Sequence, residues 1–346
     1  MRICILYSEL AGYILTCIET LLKKEGVKIL LVKWPVNEEA PFKFEFDNRM
    51  TIIEKNSLST IELANKIEAF EPELMLVSGW MDKDYVKIAR DWKKRGIPVV
   101  SGLDNQWIGS TRQKIASMLS PLLVKANFTH MWATGLRQYE YARRLGFDRN
   151  NIRTGFYSAD WKSFSQNYEV DMAEKKSSYP RVLLFVGRMV DFKGIGELCE
   201  AFLNINNRNG WKLKLIGAGS FPIPDHPDIE VSGFVQPSEL PSLAKQVGAF
   251  ILPSRKEPWG VVLHEFAAAG LPLIASDACG AADAFVRHGY NGYLFQQSSV
   301  PSLQTVLRQL MDLPNEELVE MGERSHALSR QITPEIWSET LYSLIN

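Results

Sequence analysis

Residues 249–270, AFILPSRKEPWGVVLHEFAAAG, constrain the fold more than any other stretch of the chain. Ala249 to Ser254 is a short apolar run of strand length, closed by Pro253 and Ser254. A charged loop, Arg255 to Gly260, follows. Val261 to Ala269 then reads as a helix, with good helix formers in its second half and Gly270 and Pro272 as stop signals. A buried strand therefore feeds a loop, and the loop feeds a helix whose N-terminus points out of the sheet. That helix end offers backbone N–H groups and a partial positive charge, a seat for an anion. Glu257 and Glu265 flank it, and carboxylates accept hydrogen bonds from hydroxyls. An anion seat between two hydroxyl-binding carboxylates suits a phosphorylated sugar. Taken alone, Glu257 is equally a partner of the helix dipole and Glu265 a solvated helix residue.

The size of the chain sets the frame around this segment. With 346 residues and 46% apolar content it is too long for one core and suits two domains. The formal net charge of −1 gives no global field toward nucleic acid. Cys4, Cys17, Cys199 and Cys279 show neither disulfide nor metal spacing, so reduced thiols and no bound metal are expected. No apolar run approaches the roughly 20 residues of a membrane-spanning helix. The opening MRICILYSELAGY reads as a first strand and not as a signal peptide.

Strand and helix patterns alternate along the first half. Arg2 to Tyr7 reads as a strand, Tyr13 to Lys24 as a helix and Val27 to Val32 as the next strand, a βαβ unit. Ile61–Phe70 and Tyr85–Arg95 read as helices, Leu74–Ser78 and Ile97–Ser101 as strands. Asp104 follows the last of these, placed either to contact a hydroxyl or to cap the next helix. Ser110 to Leu123 is apolar on one face. From Arg112 to Arg153 eight cations (Arg112, Lys114, Lys125, Arg137, Arg143, Arg144, Arg149, Arg153) stand against Glu140 and Asp148. Such a patch is either a set of solvated helix faces or a docking surface for an anionic membrane. Tyr168 to Tyr179 is polar and without period, and is expected to be the interdomain linker.

A second series of strands starts at Arg181–Val186. The loop after it, Gly187 to Gly194, carries Arg188 and Lys193, a fixed fork and a point charge suited to a diphosphate. Gly187 lets the backbone approach closely. Trp211–Ile216 is a strand ending in Gly217-Ala218-Gly219. Ile229–Phe234 is another, and Val235 leads toward a helix over Ser238–Gln246. Leu271–Ser276 and Gly292–Phe295 complete a second doubly wound sheet. Thr333 to Ile345 reads as a last helix.

The pattern PS-x-x-E-P-W-G-x-x-x-x-E-x-x-A-x-G-L-P from Pro253, together with G-R-x-x-x-x-K-G from Gly187, resembles the donor-binding segments of retaining glycosyltransferases of family 4 (glycosyl transferases group 1). The resemblance implies a GT-B fold: two doubly wound α/β domains facing a cleft. Residues 1–168 would form the acceptor-side domain and 180–330 the nucleotide-sugar domain, with 331–346 crossing back to the first. It implies that Glu265 holds ribose hydroxyls and Glu257 the donor sugar. Arg188 and Lys193 would hold the diphosphate, and the backbone of Gly260, Val261 and Val262 would add N–H groups. Phe234 and Val235 would meet the base, and Gly12 the donor or the acceptor. Leu103 stands where many members have a histidine, with Asp104 beside it. The implied reaction moves a sugar, with retention and no metal, from a nucleotide-diphosphate sugar to a glycan acceptor. Lipid-linked acceptors in the family imply bacterial surface-glycan assembly by a cytoplasmic protein docked at the inner face of the plasma membrane. A nucleotide-sugar epimerase and a non-catalytic sugar-nucleotide-binding subunit share the same residues.

Overall fold

The computed structural model describes residues 1–36 and 42–345. The chain divides into two units, residues 1–158 with 334–346, and residues 159–333. The first unit opens with β1 (Arg2–Tyr7), α1 (Gly12–Leu22), β2 (Lys28–Lys33) and β3 (Met50–Glu54). Then come α2 (Thr60–Phe70), β4 (Leu74–Val77), α3 (Lys83–Lys94) and β5 (Val99–Leu103). The unit continues through α4 (Thr111–Leu123), β6 (His130–Ala133), α5 (Leu136–Arg144) and β7 (Ile152–Thr154). The strands form one parallel sheet in the order β3-β2-β1-β4-β5-β6-β7. Helices cover both faces, so the central strands are apolar throughout, as in Ile3–Leu6 and Leu74–Val77. Helix α1 contributes Ile14, Ile18 and Leu21 to one face, and α3 contributes Tyr85, Ile88 and Trp92 to the other.

The second unit starts with α6 (Trp161–Ser165) and α7 (Tyr168–Ser177). Its sheet strands are β8 (Val182–Val186), β9 (Lys212–Ile216) and β10 (Ile229–Ser232), with α8 (Ile195–Leu203) after β8. Next are β11 (Ala249–Leu252), α9 (Val261–Ala268), β12 (Leu273–Ser276), α10 (Ala282–Phe285) and β13 (Gly292–Phe295). Two helices, α11 (Val300–Met311) and α12 (Asn315–Ser329), complete it. The sheet is again parallel, in the order β10-β9-β8-β11-β12-β13. Both units are thus doubly wound α/β sheets. In each, the strand order reverses beside the first strand, and the carboxyl ends there are where such sheets bind ligands.

One boundary differs from the sequence reading. The stretch expected to be the linker, residues 168–179, is helix α7 and belongs to the second unit, while the units meet in the chain at Ser158 and Ala159. The polar composition of 168–177 hides a packed face. Tyr168 stacks on His326 with ring centroids 3.6 Å apart, and Asp171, Met172 and the whole of Lys175 are buried.

The last helix, α13 (Pro334–Tyr342), belongs to the first unit and packs on α1. Trp337 fixes it there. Its ring stacks on Trp132 with centroids 4.8 Å apart, and its Nε1 donates to the Phe156 carbonyl at 2.9 Å. Trp337→Ala should destabilise the first unit by about 3–5 kcal/mol, the cost of a large buried ring plus an orphaned carbonyl. Denaturant unfolding measures this, and a loss below about 1 kcal/mol would show that α13 is not anchored through Trp337.

Candidate functional site

Three loops of the second unit leave the carboxyl ends of adjacent strands β9, β8 and β11. The β8 loop lies in the middle and is held on both sides by backbone. On one side Met189 donates to the Ala218 carbonyl at 2.7 Å and Gly187 to that of Ile216 at 2.9 Å. The approach is close enough that a Cβ on Gly217 would stand 1.9 Å from the Gly187 oxygen. Only glycine fits there, at a φ of +150°. On the other side a Cβ on Gly194, whose φ is +71°, would stand 2.1 Å from the Pro253 oxygen. The β8 loop therefore lies directly along the end of β11.

This apposition brings Lys193 to Glu257. Lys193 ends a short 3-10 turn, Asp191–Lys193, and its Nζ lies 2.5 Å from Glu257 Oε2. The Ser254 hydroxyl donates to the same oxygen at 3.2 Å, and Ser276 Oγ in turn donates to the Ser254 carbonyl at 2.5 Å. Glu257 is buried and its backbone carbonyl accepts from Gly280 N at 3.1 Å. The small-residue stretch from Cys279 to Ala282 is the bed on which the loop rests. Cys279 Sγ–H and Ala281 N–H both donate to the Trp259 carbonyl, at 3.1 and 2.9 Å. Arg188 is exposed at the loop tip, its guanidinium 5.6 Å from the centroid of the Phe192 ring.

Gly260, with φ +95°, turns the chain into α9. No side chain caps that helix end, and Val261 and Val262 are partly exposed. Glu265 lies one turn into α9, half-buried, and among the described residues its carboxylate makes no hydrogen bond or ion pair. Desolvation, with a smaller contribution from Asp160, pushes its pKa up to about 8. His264 beside it has a structural role. Its Nδ1 accepts from Ala159 N at 3.0 Å, its Nε2 is 2.9 Å from the Ser329 carbonyl, and burial lowers its pKa to about 4.

Phe234 and Val235 follow the edge strand β10, partly exposed. The segment after them is a 3-10 helix over Pro237–Gln246, started by reciprocal bonds of Gln236 and Glu239 and not by Ser238. Pro241 within it lacks a backbone donor. Gly12 and Asp104 belong to the first unit. Gly12 opens α1. Asp104 stands at the end of β5, half-buried, and accepts from Tyr157 Oη at 3.3 Å and Asn105 Nδ2 at 3.0 Å. Burial raises its pKa, and Glu9 adds to the shift. It does not cap α4, because Ser110 does so, accepting from Gln113 N at 3.3 Å.

The sequence reading passed over Arg255. Its backbone N donates to the Phe192 carbonyl at 2.9 Å, its Nε lies 2.5 Å from Glu197 and its Nη1 2.8 Å from Asp191. A cation among the acids of the preceding loop was the available signal.

Residues 169–327 match the family model described as Glycosyl transferases group 1. The matched stretch lies wholly within the second unit. The chain is 31% identical over 121 residues to an uncharacterized glycosyltransferase of Methanocaldococcus jannaschii, a stretch covering 32% of this chain and 31% of that protein. It is 29% identical over 173 residues to a glycogen synthase of Mycobacterium tuberculosis, 47% of this chain and 40% of that one. The chain thus spans under half the length of these curated relatives. In fold it is similar to Anabaena HepE, solved in complex with UDP, with a TM-score of 0.74, 15% identity and 99% of both chains covered. Among the described residues no helix is long and apolar enough to cross a membrane.

The raised pKa of Glu265 gives the domain a pH signature. In the unfolded chain this carboxyl ionises near 4.5, in the folded one near 8. The folded state therefore binds the extra proton between those values, and stability falls as pH rises through the window. Glu265→Gln should stabilise the protein by about 1–3 kcal/mol at pH 8, with the gain vanishing by about pH 4.5. Thermal unfolding of both proteins across this range checks it, and a pH-independent difference would mean that Glu265 is well solvated.

Proposed function

We propose that the chain is a glycosyltransferase that moves a sugar from a nucleotide-diphosphate sugar to a hydroxyl of a glycan acceptor, with retention of anomeric configuration. The observation that carries this reading is the union of Lys193, Glu257 and the start of α9 at adjacent strand ends, with the carboxyl of Glu265, unpartnered among the described residues, one turn further. Lys193, Arg188 and the N–H groups of Gly260, Val261 and Val262 take the diphosphate. Glu265 takes the ribose hydroxyls, Glu257 the donor sugar, and Phe234 and Val235 the base. The family match and the UDP named for HepE support a nucleotide sugar as donor.

In the reaction, the acceptor oxygen bonds to the anomeric carbon as the bond from that carbon to the diphosphate breaks. The acceptor proton passes to the leaving phosphate oxygen on the same face of the sugar. Negative charge grows on the diphosphate, where Arg188 and Lys193 stabilise it, so no metal is required. Asp104, held by Tyr157, is the first unit's candidate for an acceptor hydroxyl, and Gly12 lies at the loop after β1. Arg188→Ala and Lys193→Ala should each lower kcat by about 100-fold or more, as lost transition-state stabilisation does. The assay measures nucleotide release from UDP-, GDP- and ADP-sugars with and without glycan acceptors, and NMR of the first product reports the anomer. Release without acceptor and with an altered donor sugar would favour an epimerase. Binding without turnover would favour a non-catalytic subunit.

A second observation favours a lipid-linked acceptor at an anionic membrane. Ile115, Met118, Leu119 and Leu122 are exposed along α4, opposite its buried Ser120, with Arg112 and Lys114 exposed on the same helix. Other cations of the region are partly committed: Lys125, Arg143 and Arg153 bond backbone carbonyls, and Arg144 pairs with Glu140. The expected docking surface is therefore narrower than residues 112–153 and centres on α4. Flotation with anionic vesicles should show salt-sensitive binding that Arg112→Glu with Lys114→Glu abolishes, each cation contributing about 1 kcal/mol. Equal behaviour on neutral and anionic vesicles would point to a water-soluble acceptor.

A further inference from the structure

Arg255 is placed between the two loops that carry Lys193 and Glu257, and it touches neither of those side chains in the recorded bonds. It stands two residues before Glu257 and reaches across to the segment around Lys193. Its bonds fall on both sides of that lysine: Asp191 and the Phe192 carbonyl before it, Glu197 after it. The two ionic contacts are unequal. Asp191 is 69% exposed, so that pair is weak, as surface pairs are. The Glu197 side chain is 15% exposed and its second oxygen, Oε2, is buried without a hydrogen bond. Arg255 thus supplies the bond that a largely buried carboxylate at the start of α8 depends on.

Geometry explains why such a clamp matters. Lys193 sits on a turn of three residues ended by a left-handed glycine, a segment with little packing of its own. Its Nζ carries a flexible four-carbon stem, and a lysine binds a phosphate as a point charge without directional preference. Its direction must come from where its backbone is held. Arg255 fastens that backbone to the Glu257 loop through one main-chain and two side-chain bonds.

We infer that Arg255 is a positioning residue for the diphosphate. It holds the Lys193 turn against the Glu257 loop, so that Lys193 meets the diphosphate of the donor from a fixed direction. The inference rests on the reading of Lys193 as a diphosphate ligand made above. Its test is a double-mutant cycle read by isothermal titration with UDP, GDP and ADP. The wild type, Arg255→Gln, Lys193→Met and the double variant are each titrated with whichever of the three binds most tightly. If Arg255 acts through Lys193, each single variant loses about tenfold in affinity, and the double variant binds no more weakly than Lys193→Met. Glu197→Gln, which removes the other end of the clamp, reproduces the Arg255→Gln loss and serves in its place if Arg255→Gln does not fold. A purely structural arginine would lower the melting temperature and leave the nucleotide affinity alone, and that result overturns the inference. Losses that multiply in the double variant also overturn it, because Arg255 would then act on the ligand by itself. If Lys193→Met binds as wild type does, the diphosphate reading fails first. If none of the three nucleotides binds the wild type, the proposed function fails and the inference with it.

Discussion

The second unit depends on one close approach, that of the β8 loop to the end of β11. It is made of backbone against backbone, with Gly194 against the Pro253 carbonyl and Arg255 N–H on the Phe192 carbonyl. Because no side chain intervenes, Lys193 and Glu257 are forced together, and each neutralises the other in a mostly buried setting. A buried pair of this kind is costly to break by removing one partner and adds little stability when intact. Its presence at the mouth of a sheet switch point, and not in a core, agrees with a pair whose partners are to be exchanged. In the proposed function a diphosphate replaces Glu257 for Lys193, and sugar hydroxyls replace Lys193 for Glu257.

The rest of the unit maintains that approach. Ser276 holds Ser254, Ser254 holds Glu257, and the Cys279–Ala282 stretch supports Glu257 and Trp259 from below. His264 ties α9 to residue 159 and to the end of α12. The first unit repeats the architecture with a different set of groups at its strand ends: Asp104, Tyr157 and Tyr7, with burial dominating their titration. Its own lysine–glutamate pair, Lys33 at the end of β2 and Glu54 at the end of β3, 2.6 Å apart, lies at the edge of the sheet and away from the switch point between β1 and β4.

Much of this was legible because parallel sheets write plainly. Arg2–Tyr7, Leu74–Val77 and Val182–Val186 are apolar runs of strand length, and 253–272 couples loop, helix and glycine in a spacing with few alternatives. What escaped notice had weak local signals. The edge strand β3, MTIIE, is short and half-exposed, and β7 has only three residues. Helix α7 reads as a polar linker because two of its three buried residues, Asp171 and Lys175, are charged, and only Met172 is apolar. Arg255 was passed over because its partners, Asp191 and Glu197, lie some sixty residues away. That Asp104 does not cap α4 turned on Ser110, which local sequence allowed as a cap but did not compel.

The central claim is that Lys193 and Glu257 belong to a nucleotide-sugar site. A crystal structure of the chain with an intact or 2-fluoro nucleotide sugar tests it most directly. The account predicts that Lys193 Nζ leaves Glu257 Oε2, from the present 2.5 Å, for a phosphate oxygen, with Glu257 on sugar hydroxyls and Glu265 on the ribose. A nucleotide sugar bound with the pair intact, or bound away from the ends of β8 and β11, would contradict it.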